Sequence, residues 1–203
     1  MTMAALTACS CSHGHKGAKD AKDSADSLVS ETPKWRKITP KELEIKPVSA
    51  FADDWMALAV GDKRQMNSMT IAWGGIGQLW NKPVVTVYVS SDRYSKKMMD
   101  EHQYFTVTAF PDDKQCRDAL MYIGTHSKRD ESNKTAVAGL TTIYTPLGNP
   151  YFEEGCLTIE CKKIYAEEFD INKVPKDVRE GMYNSMGIHT MYIGEIVNVW
   201  TKE

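Results

Sequence analysis

The sequence predicts a mainly β protein, in which a closed or partly open β-barrel carries a few helical inserts. Three observations indicate this fold class. Short apolar runs separated by turn signals begin at Trp35 and continue along the chain. Residues 83–89 are rich in β-branched side chains, as buried strands are. Strand-like runs outnumber helical ones, and a barrel removes the exposed edges that these strands would otherwise leave.

Six strands and three helices are predicted in the body of the chain. The strands cover residues 55–60, 66–73, 83–89, 104–110, 155–164 and 190–200. The helices cover residues 94–102, 114–123 and 127–138. Asp112 and Asp113 precede the second helix and Ser127 begins the third, as N-capping residues do, and Gly139 stands where the third should end.

The glycines at positions 74, 75 and 77 are interpreted as a connection between strands. A dinucleotide-binding fingerprint would need a helix facing the phosphates directly after them, whereas Lys82, Pro83 and a β-run follow here. Small-molecule chemistry is still expected, because a net charge of −2 with mixed signs offers no basic patch for nucleic acid.

The 203-residue chain suffices for one sizeable core, and residues 35–203 are predicted to form that domain. Residues 1–34 are predicted to be a polar tail outside the fold, because they bury too little to offset the entropy of ordering. Within this tail, the run from Leu6 to Cys9 resembles a bacterial lipobox. Cys9 is therefore a lipidation candidate, which predicts an exported, membrane-tethered protein; without that signal, a cytoplasmic bacterial protein is expected.

The cysteines suggest neither a disulfide framework nor a metal site. Alternating soft ligands do occur in the tail, at Cys9, Cys11, His13 and His15. They match no closed structural site, so no metal is predicted. The body contains Cys116, Cys156 and Cys161, an odd and sparse set that we interpret as unpaired packing residues.

One strand combines small and hydroxyl residues with tryptophan, from Asn67 to Trp73. Its end can offer backbone N–H and C=O groups to a flat heterocycle. The alternative is an ordinary half-buried strand, with Trp73 and Trp80 as core residues. Taken alone, the run leaves both interpretations open.

Five segments together resemble a known family. They are Asn67-x-Met-Thr-Ile-Ala-Trp73, Trp80-x-Lys-Pro83, Ser90-Ser-Asp-Arg-Tyr-Ser95, Phe105-Thr-Val107, and Gly124-Thr-His-Ser127 with Arg129-Asp130. Their order and spacing, over about residues 38–200, are similar to those of flavoredoxin and the flavin reductase-like family. The resemblance implies a six-stranded Greek-key split β-barrel, the FMN-binding split barrel, which forms a homodimer and binds FMN near the dimer interface.

The same resemblance implies the cofactor-binding residues. Asn67 belongs to this set, and Met69, Thr70, Ile71, Ala72 and Trp73 line the isoalloxazine ring, chiefly through backbone groups. Ser90, Ser91, Arg93, Tyr94 and Ser95 hold the ribityl chain and phosphate, and His126, Ser127, Arg129 and Lys134 form the remaining polar wall. His189 is a further candidate for contact with the flavin or its substrate.

The residue chemistry agrees with these assignments in part. Arg93 is a rigid fork of donors suited to phosphate, although a solvated loop residue is the alternative. For Lys134 the alternative is a charge on a helix surface. The chain also departs from the family pattern, because Lys128 replaces a glycine and Lys134 follows Ser127 by seven residues instead of six. Lys128 therefore competes with Lys134 for the phosphate or the substrate.

These expectations favour an FMN-dependent oxidoreductase that transfers a hydride from NADH or NADPH to flavin or a downstream acceptor. The flavin carries that chemistry, so no catalytic side chain is predicted. One alternative is an FMN-binding electron-transfer protein that lacks a nicotinamide site and exchanges electrons with a redox protein. Another is a relative that has lost flavin and binds a different planar ligand. Hydrolase chemistry lacks support, because neither His102 nor His189 accompanies a nucleophile motif.

Overall fold

One antiparallel sheet of eight strands forms the body of the molecule. The computed structural model describes residues 34–202. The strands are β1 (Trp35–Ile38), β2 (Met56–Gly61), β3 (Met66–Ile71), β4 (Gly74–Leu79), β5 (Lys82–Ser90), β6 (Tyr104–Ala109), β7 (Thr142–Tyr144), β8 (Pro150–Phe152), β9 (Leu157–Glu168) and β10 (His189–Lys202). The helices are α1 (Pro47–Ala52), α2 (Tyr94–Glu101), α3 (Lys114–Thr125), α4 (Lys134–Val137) and α5 (Lys176–Met182), with 3-10 turns at Pro40–Glu42 and Ile171–Lys173.

The sheet is open between two strands that are consecutive in the chain. Its order is β3-β2-β6-β9-β10-β5-β4, β1 pairs with β10, and β7 and β8 form a separate hairpin. The end strands β3 and β4 are joined by Ala72 and Trp73 and do not pair with each other. The predicted mainly β split barrel is therefore confirmed, with a sheet of eight strands in place of the predicted six.

All six predicted strands are present, as β2, β3, β5, β6, β9 and β10. The prediction that Gly74 to Gly77 only connect strands was wrong, since they belong to β4, which pairs with β5 from Gly74↔Val87 to Leu79↔Lys82. Trp80 and Asn81 close this hairpin with positive φ angles of 50° and 59°. A two-residue turn with both φ angles positive matches the right-handed twist of the strands that it joins.

Two of the three helix predictions are confirmed. α2 and α3 occupy the expected segments, and the Asp113 side chain caps α3 by accepting a hydrogen bond from the backbone N–H of Cys116 at 2.8 Å. The helix predicted over residues 127–138 was wrong, because only α4 is helical there. The Ser127 hydroxyl accepts the N–H of Arg129 at 3.2 Å, which stabilises a turn in place of a helix. Gly139 ends α4 as predicted, with φ of 81°.

Strand alternation creates the main core. On β5 the side chains of Val85, Val87 and Val89 are fully buried, whereas Thr86 and Tyr88 on the other face are half-buried. A smaller apolar cluster fixes α3 against β2, with residues such as Ala57, Ala59, Leu120 and Ile123. The Thr70 hydroxyl of β3 donates to the carbonyl of Leu120, so α3 is also hydrogen-bonded to the strand that borders the opening.

Several predictions for the tail lie outside the described residues. These are the boundary of the tail, lipidation at Cys9 and the absence of a metal at the tail cysteines and histidines. In the body, Cys116, Cys156 and Cys161 are all free and at least half-buried, which confirms their role as unpaired packing residues. No helix within residues 34–202 has the length and apolarity needed to cross a membrane.

Candidate functional site

The opening of the barrel forms a cleft of about 360 Å³, a volume typical of small-molecule sites. We call it the ring cleft. It is lined by Met69, Thr70, Ile71, Ala72, Trp73, Tyr88, Ser90, Asp92, Arg93, Ser185, Met186 and His189. β3 is an end strand of the sheet, so backbone groups on its outer edge have no strand partner there. Such groups can hydrogen-bond a flat heterocycle.

Aromatic rings form one wall of the ring cleft. The rings of Trp73 and His189 lie 5.0 Å apart, and Tyr183 meets His189 edge-on at 5.7 Å. His189 is only 6% exposed, and its buried Nδ1 has no hydrogen-bond partner within the described part of the chain. Burial, followed by repulsion from Arg93, lowers the pKa of His189, and Asp92 opposes this shift. The imidazole is therefore neutral at pH 7, with one donor and one acceptor nitrogen.

A smaller cavity of about 70 Å³ adjoins the ring cleft and shares Met69, Asp92 and Arg93 with it. We call it the anion cavity. Three cationic side chains line it, those of Arg93, Lys128 and Lys134. Tyr94 and Ser95 also line it, at the start of α2, where backbone N–H groups are free of intrahelical partners. Cations combined with a helix N-terminus favour an anionic group such as a phosphate.

Lys134 is the most buried of the three cations, at 4% exposure. Its Nζ donates to the carbonyls of Ile123 at 2.9 Å and His126 at 2.8 Å, at the C-terminal end of α3. Burial is the main cause that lowers the pKa of Lys134 to about 8, and repulsion from Arg93 and Lys128 adds to it, with Glu131 opposing. No carboxylate within residues 34–202 pairs with this ammonium. A buried, unpaired charge is unfavourable, so a bound anion would stabilise the charged form of Lys134.

The other two cations are also held in place by backbone carbonyls. Lys128 Nζ donates to the carbonyl of Met66 on β3, and burial lowers the pKa of Lys128. Arg93 Nη1 donates to the carbonyl of Gly124 at 2.9 Å. A guanidinium has five N–H donors, so Arg93 retains others for a ligand. Lys128 and Lys134 both line the anion cavity, so the structure brings the two competing lysines to one place.

The loop between β5 and α2 is fixed against the start of β10. Ser90 Oγ donates to the Gly187 carbonyl at 2.9 Å, and the Ser91 N–H donates to the Ile188 carbonyl at 2.9 Å. The Gly187 N–H donates to the Asp92 carboxylate. A Cβ at Gly187 would lie 2.3 Å from Ser91 Oγ and 2.8 Å from Asp92 Cγ, so a larger residue would displace these side chains. These contacts hold the Arg93 loop beside the ring cleft.

Fifteen of the predicted site residues line the ring cleft or the anion cavity. They are Asn67, Met69, Thr70, Ile71, Ala72, Trp73, Ser90, Arg93, Tyr94, Ser95, His126, Ser127, Lys128, Lys134 and His189. Ser91 and Arg129 are exposed and line neither. Ser95 Oγ accepts a hydrogen bond from Asn67 Nδ2 at 2.8 Å, which orients this hydroxyl in the anion cavity. The binding roles of all these residues stay predictions.

Four residues of the ring cleft were missed by the sequence analysis: Tyr88, Asp92, Ser185 and Met186. Asp92 stands inside the Ser90–Ser95 segment and was available from that motif. Ser185 and Met186 lie between α5 and β10, where the sequence has no periodic or motif signal. The fold alone brings that segment to the cleft.

The model of the flavin reductase-like domain matches residues 50–203 of the chain. The chain belongs to the flavin reductase-like family. Its structure is similar to an FMN-binding domain of a flavin reductase-like enzyme from Shewanella baltica, with a TM-score of 0.59 and 14% identity over 83% of this chain and 78% of that one. The family places the protein in a class of flavin-binding redox proteins.

Two further structures of the same fold are informative. Flavoredoxin of Desulfovibrio vulgaris (Miyazaki F) has a TM-score of 0.57 and 25% identity, over 80% of this chain and 76% of that one. A Streptomyces globisporus NADH:FAD oxidoreductase, in complex with NAD and FAD fragments, has a TM-score of 0.54 and 16% identity, over 74% and 77%. A comparison with curated proteins gave no match.

Proposed function

We propose that this protein is an FMN-dependent oxidoreductase that accepts a hydride from NADH or NADPH and passes electrons to free flavin or another acceptor. One observation carries the proposal: a cleft suited to a flat ring adjoins a cavity that contains three cations. FMN combines a flat heterocycle with a single phosphate, and thus fits both parts. When bound, FMN supplies the hydride and electron transfer chemistry.

The residues around the cleft have binding and tuning tasks in this proposal. Arg93 and the first N–H groups of α2 hold the phosphate, since both favour an anion. The outer edge of β3 supplies backbone hydrogen bonds to the ring. Lys128 and Lys134 place positive charge in the site, and a cation near the ring favours the reduced flavin, which is anionic. No side chain has to act as a general acid or base.

In this proposal the nicotinamide enters the ring cleft beside the wall formed by Trp73 and His189. Trp73 is 39% and Met186 37% exposed, so this side of the cleft is accessible to a second substrate. The neutral imidazole of His189 offers a hydrogen bond without adding charge. We therefore expect His189 to affect the hydride donor more strongly than it affects FMN.

The test is an absorbance titration of the full chain with FMN, followed by anaerobic addition of NADH and then NADPH. Rapid bleaching of bound flavin by either donor supports the proposal. His189→Gln should slow this bleaching about tenfold and leave the FMN affinity within about twofold, whereas His102→Gln, outside the cleft, should change neither. If no flavin binds, the proposal is wrong, and a different planar ligand becomes the candidate for the cleft.

The second candidate is an FMN-binding electron carrier that lacks a nicotinamide site. The likeness to a flavoredoxin at 25% identity favours it. Bound flavin that dithionite bleaches but neither nicotinamide bleaches would support the carrier over the reductase. Export and lipidation at Cys9 belong to the same hypothesis, since free nicotinamides are scarce outside the cytoplasm. Detergent-phase partitioning that is lost in Cys9→Ala would support the lipid tether.

We also propose that the protein is a homodimer, which pairs through the outer face of β4, β5 and β10. Half-buried side chains of this face include Thr86, Met191 and Ile193. Gly75, opposite Thr86, leaves open space above it, because a Cβ there would meet no atom within 4 Å. Light scattering should give the mass of a dimer, and Ile193→Lys should give a monomer.

A further inference from the structure

One segment supplies part of the ring cleft without belonging to the sheet. Residues 170–186 lie between β9 and β10 and contain α5. They bring Ser185 and Met186 into the lining of the ring cleft. Tyr183 of the same segment meets the ring of His189 edge-on at 5.7 Å. We call residues 170–186 the cleft segment.

The cleft segment is attached to the body of the protein by few contacts. None of its residues is buried. Every hydrogen bond and ion pair that these residues form within the described chain joins two members of the segment, as between Lys176 and Glu180. α5 thus differs from α3, which buries Leu120 and Ile123. A segment with so few buried apolar contacts opens at a low cost in free energy.

The two ends of the cleft segment are nevertheless fixed close to each other. Before the segment, the N–H of Phe169 donates to the carbonyl of His189 at 2.9 Å. After it, the carbonyl of Gly187 accepts the Ser90 hydroxyl at 2.9 Å, and the Gly187 N–H donates to the Asp92 carboxylate. Phe169 and Gly187 can therefore act as hinges while the sheet stays in place.

The side chains that the segment brings to the cleft suit a flat ring. Met186 is still exposed although it lines the cleft, and Tyr183 covers one edge of the His189 ring. Thioethers and aromatic rings both pack favourably on aromatic systems. If the segment moved closer, the exposed part of Met186 would be buried against a bound ring. That burial would stabilise the closed position.

From these observations we propose that residues 170–186 form a lid that closes on the flavin ring, with Tyr183 and Met186 as the residues that contact the ring. The inference rests on the proposed function, because it needs a flavin in the ring cleft. The lid then determines how long the flavin stays bound, since the ring can leave only after the lid opens.

Limited digestion of the full chain with trypsin, read by mass spectrometry, measures the opening of the lid. Lys173 and Lys176 lie in the lid with side chains 84% and 77% exposed. Lys114 is the internal control, because its side chain is 87% exposed but α3 is packed on the sheet. Without flavin, cleavage at the two lid lysines should be at least about tenfold faster than at Lys114. Saturating FMN should slow cleavage in the lid about tenfold and leave cleavage at Lys114 within about twofold.

Met186→Ala tests the contact between the lid and the ring. It should raise the dissociation rate of FMN about tenfold, and that of riboflavin equally, because both ligands share the ring that Met186 contacts. Met121→Ala is the matched control, since Met121 is an exposed methionine of α3 that lines neither the ring cleft nor the anion cavity. It should change neither rate. Stopped-flow flavin fluorescence measures both rates.

Other outcomes overturn the inference in distinguishable ways. If FMN leaves cleavage at Lys173 and Lys176 unchanged, or if Met186→Ala behaves like Met121→Ala, the segment is no lid although the proposed function stands. If Met186→Ala speeds the loss of FMN but not of riboflavin, the segment acts on the phosphate, and closure on the ring is wrong. If the wild-type chain binds no flavin, the proposed function has failed and the lid with it.

Discussion

Replacing Arg93 by alanine should weaken FMN binding through the loss of phosphate contacts. Arg93 lines both the ring cleft and the anion cavity, and one of its five donors is committed to the Gly124 carbonyl at 2.9 Å. A charge-assisted hydrogen bond contributes roughly 1.5–3 kcal/mol. Because Arg93 is exposed, we take the lower part of this range, about 1.5–2 kcal/mol. The dissociation constant for FMN should then rise about 10- to 30-fold.

Riboflavin separates a phosphate contact from a general loss of structure. It keeps the ring and ribityl chain of FMN but has no phosphate, so Arg93→Ala should leave its affinity within about twofold. Arg64→Ala is the matched control, because Arg64 is an exposed arginine that lines neither the ring cleft nor the anion cavity. Fluorescence titration with both ligands measures each value. Equal losses for FMN and riboflavin, or equal losses for the two arginine variants, would refute the assignment of Arg93 to the phosphate.

Three further predictions follow from the same geometry. Bound phosphate should raise the pKa of Lys134 from about 8, so FMN binding above that pH takes up a proton. The dissociation constant for FMN should therefore rise by up to about tenfold per pH unit above pH 8. Lys134→Gln should abolish this pH dependence in fluorescence titrations. Gly187→Ala should weaken FMN binding about tenfold by displacing the Arg93 loop. Gly181→Ala is the control, because a Cβ there meets no atom within 4 Å, and it should bind FMN with unchanged affinity. Gly194→Ala places a Cβ 2.6 Å from the Phe105 ring and should lower the free energy of unfolding by about 1–3 kcal/mol. An unchanged urea midpoint of unfolding would contradict the close contact between Gly194 and Phe105.

Secondary structure was predicted correctly where the local preference of the residues matches the structure that they adopt in the fold. The β-branched run of β5 and the Asp113 cap of α3 are both visible in the residues themselves. β4 was missed because its glycines have low strand propensity, and it forms only because β5 offers a long partner strand. The helix predicted from Ser127 was wrong for a similar reason. Serine hydroxyls stabilise turns as readily as helix starts, and periodicity alone cannot choose between them.

The candidate site was predictable through its family motifs, and only partly through residue chemistry. Arg93 and Ser95 are two residues apart at the start of α2, so their proximity follows from sequence. The burial of Lys134 could not be foreseen, because it depends on two carbonyls at the end of α3 that only the fold brings together. Met186 likewise reaches the cleft through the return of the chain to β10. The Lys134 contacts depend on how the chain turns back after α3, and the position of Met186 depends on pairing between β10 and β5. Local patterns encode neither.

The pairing of His189 with Ser90 joins the last strand of the sheet to the strand that carries the Arg93 loop. During synthesis, every other strand is made before β10. The ring cleft therefore lacks the wall that contains His189 until β10 has been synthesised and has paired with β5. Pairing between such distant segments is the slow step of β-rich folds. We expect flavin capture to be the final event of folding, so yellow colour in a preparation would report complete chains and exclude fragments that end before β10.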